Sequence, residues 1–133
     1  LNQEIARLTF PLLGLEQLAD LGPPEWMVDS VVPEGNVVIF GPPGSCKSFI
    51  ALDMALCVAS GIDWHGHPVK QGKVVYVASE GARGMHQRVD VWLQQHDLTK
   101  WDVPDLLFIP FGVNLLDESA ATKLADTLDV LLD

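Results

Sequence analysis

The stretch Val37-Val38-Ile39-Phe40-Gly41-Pro42-Pro43-Gly44-Ser45-Cys46-Lys47-Ser48 decides the fold, together with the apolar run that follows it from Phe49 to Ser60. Val37–Phe40 is short, rich in β-branched residues and preceded by the turn residues Pro33-Glu34-Gly35-Asn36. Such a run predicts a strand buried on both faces. Phe49–Ser60 has the length and composition of a helix, and Gly61 stops it. Between strand and helix lies a loop with two glycines, a lysine and two serines.

That loop fits the spacing G-x-x-x-x-G-K-[ST] at every part but one, since Cys46 stands where the last glycine is usual. The chemistry of the spacing is direct. A loop that curls back on itself points successive N–H groups inward, and the following helix N-terminus adds positive potential, so the two form an anion nest. Gly41 and Gly44 permit backbone turns that a side chain would block. Lys47 supplies a cation for β and γ phosphates, and the Ser48 hydroxyl suits a Mg2+ ligand. The expected ligands are therefore ATP and Mg2+, held by Gly41, Pro42, Pro43, Gly44, Ser45, Cys46, Lys47, Ser48 and Phe49. Either a positive φ or a lack of room beside the phosphates accounts for the usual glycine at position 46. The Cys46 thiol, at a helix N-terminus beside Lys47, is expected to point away from nucleotide and to react readily with alkylating reagents.

Downstream, Lys73–Ala78 and Leu106–Ile109 read as further strands. Residues 84–96 read as a helix with Met85, Val89, Trp92 and Leu93 on one face. A last helix begins near Asp117 and Ser119 and repeats Leu124, Leu128, Leu131 and Leu132. Strand and helix alternate, which predicts an α/β domain with a mainly parallel sheet. Ligands of such sheets bind outside the carboxyl ends of the strands, where Gly41–Ser48 and Ser79–Gly81 both fall. Glu80, at the exit of the second strand, is a candidate for orienting or deprotonating the water that attacks a γ-phosphate.

The residues Gly41–Phe49, Ala51-Leu52-Asp53, Gly61, Trp64, Gly72-x-Val74-Val75-Tyr76 and Glu80-Gly81 together resemble the RecA-like P-loop ATPases related to the plasmid hexameric replicative helicase RepA. Trp26-x-Val28-Asp29 and Pro33-x-Gly35 fit as well, and the resemblance covers roughly residues 24–133. It implies a three-layer RecA-like sandwich, incomplete at the C-terminus, with residues 1–30 as a lead-in packed on the core and 31–133 as the front of the ATPase domain. It further implies Lys47 and Glu80 as the catalytic pair, Arg88 against the adenine, and a homo-oligomer, hexameric in the complete protein, that acts in DNA replication, repair or recombination. A Walker B aspartate is not found: Asp129 lies within helical spacing, and the resemblance puts that strand just past Asp133. No arginine finger or DNA-binding loop of the family is identifiable. A P-loop kinase would need an acceptor site and an arginine-rich lid, neither of which is visible. A nucleotide-dependent assembly module without turnover is the other alternative.

Composition narrows the partners. The 133 residues are 48% hydrophobic, which suits one domain. Eight Lys plus Arg against eighteen Asp plus Glu give a formal charge of -10. The basic residues are scattered, so single-stranded DNA is not expected to bind through this acidic segment. No run reaches the roughly 20 apolar residues that span a bilayer. A chain that opens on Leu1 without a signal peptide is expected to be an excised or processed piece of a cytoplasmic protein. Cys46 and Cys57 would lie ~16 Å apart along one helix, too far to bridge, and Cys57 is expected in the core. His65-x-His67 is expected to be a loop rather than a metal site, Trp92 and Trp101 to pack between helix and sheet, and Lys70 and Lys73 to stay in water.

Overall fold

The computed structural model describes residues 13–80 and 82–132. A short helix α1 (Leu15–Ala19) leads to a small antiparallel ribbon of β1 (Trp26–Val28) and β2 (Val32–Pro33). The central helix α2 (Lys47–Ser60) follows, and then β3 (Val74–Val77), α3 (Ala82–Gln95), β4 (Leu106–Ile109) and α4 (Glu118–Leu132). Residues 1–12, the first part of the expected 1–30 lead-in, lie outside the described residues.

β3 and β4 pair in parallel, with Val74 opposite Leu106 and Val77 opposite Ile109, and α3 makes the crossover. Ladder bonds continue past both strand ends, from Val74 N to the Asp105 carbonyl and from Ala78 N to the Ile109 carbonyl, each 2.8 Å. Because the strands are parallel, Ser79-Glu80 and Pro110-Phe111 leave the sheet at the same edge. The closeness is tangible: a Cβ built on Gly112 would stand 3.4 Å from Ser79 Cβ.

α2 is the hub of the core. Leu52, Leu56 and Cys57 from α2 join Ala78, Met85, Trp92, Leu93 and Val103 in one apolar cluster. Leu56 is wholly buried at 0% exposure. α2 ends as its sequence predicts. Gly61 takes the left-handed conformation at φ 76°, and its N–H bonds the Cys57 carbonyl at 2.8 Å. The connection then folds back over α2: Gly72 N donates to the Val58 carbonyl, and Asp29 N and Lys70 N bond across to the Pro68 and Met27 carbonyls.

The expected strand at Val37–Phe40 is not formed. Among the described residues no strand pairs with it, and Val38 and Phe40 are 80% and 90% exposed. A strand exists only as part of a ladder, and the local sequence signal carries no information about the partner. The sheet is accordingly two-stranded among the described residues. Trp101 also departs from expectation. It is exposed, with the Lys100 ammonium 4.9 Å above its ring. Asp102 accepts from Thr99 N and Oγ1 at 2.7 and 2.8 Å, and the backbone bond first, then the hydroxyl, holds its carboxyl below the usual range. Lys70 and Lys73, though exposed, are both engaged, Lys70 with Glu25 at 2.6 Å and Lys73 with the Leu131 carbonyl.

Other expectations stand. The Met85, Val89, Trp92 and Leu93 stripe of α3 faces inward. α4 starts where Asp117 Oδ1 accepts from Ser119 N at 2.9 Å, and half-buries Leu124, Leu128 and Leu131. Asp129 is therefore helical, which removes it as a Walker B candidate.

Burial, aided by the carboxylates of Asp53 and Asp63, pushes the Cys57 thiol up from its ordinary 9.0 to about 11. The unfolded chain loses this proton at lower pH than the folded chain, so stability falls as pH rises through that window. The expected loss from this group is up to about 2 kcal/mol, at ~1.4 kcal/mol per pH unit. Urea unfolding of the native chain and of Cys57→Ala, at about pH 8 and about pH 11, measures it; the variant is expected to decline less.

Candidate nucleotide-binding loop and its surroundings

The loop between residues 41 and 46 is a compact turn built by two left-handed residues. Gly44 has φ 79° and Cys46 has φ 61°. Ser45 N donates to the Pro42 carbonyl at 3.3 Å, and Ser45 Oγ reaches the same oxygen at 2.8 Å. The chain then enters α2, where Phe49 N and Ile50 N both donate to the Cys46 carbonyl at 3.0 Å. The amides of Gly44, Cys46, Lys47 and Ser48 donate to no acceptor among the described residues. These are the orphan donors of a helix N-terminus plus its preceding turn, the arrangement that favours an anion.

Lys47 closes the loop. Its Nζ donates to the carbonyls of Gly41 and Pro42 at 2.8 Å each and lies 3.4 Å from Ser45 Oγ. The ammonium of the first helical residue thus folds back over the turn that precedes it. Gly41 is confined there, since an added Cβ would stand 2.9 Å from Ser45 Oγ. The positive φ of Cys46 resolves why glycine is usual at this position: the backbone conformation itself disfavours a side chain. The Cys46 thiol is exposed, and its Sγ lies 4.0 Å from the Gly44 carbonyl.

A second group lies beside the loop. The Arg88 guanidinium sits 4.4 Å over the Phe49 ring, so two of the expected binding residues do meet. They border a cavity of about 530 Å3 that also reaches Asp53, Gln87 and Trp92. Asp53 was legible in the sequence only as a break in an apolar run. In the structure it gathers three donors: Trp92 Nε1 at 2.7 Å, Trp64 Nε1 at 2.9 Å and His65 Nε2 at 3.0 Å. A lone carboxylate in an apolar helix, with tryptophans elsewhere in the chain, is the signal that could have pointed to it.

Glu80 is exposed at the exit of β3. Among the described residues no hydrogen bond or ion pair joins it to Lys47 or Ser48, and the Ser48 hydroxyl has no protein partner. Gly81 lies outside the described residues. No group of three or more His, Cys, Asp or Glu side chains is placed to hold a metal among the described residues. His65 is committed to Asp53, and His67 Nδ1 lies 3.0 Å from the Asp29 carbonyl. No helix among the described residues is long and apolar enough to cross a membrane.

Comparison with known families matches residues 6–131 to AAA_25, an AAA domain. This chain belongs to that family of P-loop ATPases. No curated protein and no solved structure matches the chain.

The left-handed Cys46 makes a sharp prediction. Cys46→Gly is expected to leave stability unchanged or slightly raised, whereas Cys46→Val is expected to cost about 1–2 kcal/mol, because β-branched residues resist positive φ. Denaturant midpoints of the two variants against the native chain measure the difference.

Proposed function

We propose that this AAA domain binds ATP with Mg2+ through residues 41–48 and is the front part of a RecA-like motor domain of the replicative-helicase type. The observation that carries the reading is the loop itself: the left-handed Gly44 and Cys46, amides without a protein partner among the described residues, and the Lys47 ammonium folded back on the carbonyls of Gly41 and Pro42. In this reading the amides of Gly44, Cys46, Lys47 and Ser48 receive phosphate oxygens, and the Lys47 ammonium exchanges its carbonyl partners for the β and γ phosphates. Mg2+ supplies charge neutralisation at the phosphates when bound, with the Ser48 hydroxyl as its protein ligand.

Phe49 and Arg88 hold the base, and Glu80 orients the attacking water in the complete protein. In this reading the complete protein carries a RecA-like sandwich. The complete protein assembles as a homo-oligomer, hexameric in this account, that acts on DNA in the cytoplasm. The acidic balance of the present segment leaves DNA contact to other parts of the assembly.

Lys47→Ala is expected to weaken Mg-ATP binding about 10- to 100-fold, the worth of charge-assisted bonds to phosphate. Isothermal titration of both chains with Mg2+ and a non-hydrolysable ATP analogue reads it; equal affinities would overturn the assignment. In the complete protein, Glu80→Gln is expected to retain binding and lose turnover by about 100-fold or more, followed by phosphate release. Normal turnover in that variant would remove Glu80 from the water-orienting role.

A further inference from the structure

Asp53 stands where an apolar residue would be expected to serve. It lies on α2 between the buried Leu52 and the buried Ala55 and Leu56. Its side chain is 27% exposed. A half-buried carboxylate is costly unless its lone pairs are used. Here both oxygens are occupied, Oδ1 by the Trp92 indole and Oδ2 by the Trp64 indole and His65. The three donors come from different segments: Trp92 from α3, and Trp64 and His65 from the tight turn where Trp64 and His67 bridge. One carboxylate thus ties the loop-bearing helix to two other parts of the chain.

The spacing of these contacts matters more than their number. Phe49 meets Arg88, and one helical turn further along α2 Asp53 meets Trp92. Arg88 and Trp92 are likewise one turn apart on α3. The two helices are therefore joined by two rungs in matched register. The first rung, a cation over a ring, tolerates sliding and rotation. The second, an indole N–H on a carboxylate at 2.7 Å, is directional and charge-assisted. The directional rung fixes where the permissive one falls.

Both rungs border the same cavity beside the phosphate loop. We propose that Asp53 is a positioning residue for base recognition: by holding Trp92 it sets the height and rotation of α3, and so places Arg88 against Phe49 at the base end of the nucleotide site. This rests on the nucleotide reading above and adds to it a residue that touches neither base nor phosphate. Its effect is confined to the base end, because the loop 41–48 is held by its own bonds and by Lys47.

The test compares two probes on the full chain with Mg2+ by isothermal titration: ATP, and inorganic tripolyphosphate, which has the phosphates without the base. Asp53→Asn keeps the side-chain size but turns an amide N–H2 toward one of the indole donors. Trp92→Phe removes the donor from the other side and guards against misfolding peculiar to the first variant. Both substitutions are expected to weaken ATP about tenfold and tripolyphosphate less than about twofold, and the double variant to be no worse than either alone. Parallel loss of both probes would reduce Asp53 to a stabiliser of the fold and overturn the proposal. Unchanged ATP affinity in both variants would overturn it as well. If the unsubstituted chain bound neither probe, the nucleotide reading itself would fall, and this proposal with it.

Discussion

The Lys47 ammonium, resting on the carbonyls of Gly41 and Pro42, is the contact on which the candidate site depends. It joins the start of α2 to the turn before it, so that the left-handed residues Gly44 and Cys46 are held from both ends. The amides of Gly44, Cys46, Lys47 and Ser48 are left without a protein acceptor among the described residues. A positive charge at the rim and helix-terminal donors beneath it make an environment suited to polyphosphate. The same ring of contacts explains the crowding at Gly41 and the conformational demand at position 46.

α2 then carries the geometry outward. Its buried face, centred on Leu56, fastens the loop to the β3–α3–β4 unit. Its half-buried Asp53 fixes α3 in register, and its first exposed aromatic, Phe49, lies under Arg88. The loop residues lie within the span matched to the AAA domain, and the Asp53 hub became apparent only from the structure.

Much of this was readable in the residues, and the failures share a cause. The glycine-lysine spacing of the loop, the inward stripe of α3, the Asp117 start of α4 and the strands at Val74–Val77 and Leu106–Ile109 all follow from local pattern: spacing, caps and β-branched runs. Val37–Phe40 was misread because local pattern announces a strand without supplying its neighbour. Trp101 was misplaced because aromatic size predicts burial only when an apolar surface stands opposite. Asp53 was overlooked because its donors lie 11 and 39 residues away, at Trp64 and Trp92, beyond the reach of any periodicity. Glu80 remains where its position after β3 put it, at the shared sheet edge, with its chemical role belonging to the proposal.

The amide resonances of residues 44–48 test the central claim most directly. In a nitrogen–proton correlation spectrum of the isotopically labelled chain, Mg-ATP is expected to shift the amides of Gly44, Cys46, Lys47 and Ser48 strongly downfield, as phosphate oxygens take up those donors, while adenosine leaves them in place. Saturating Mg-ATP that left these four amides unmoved would contradict the account.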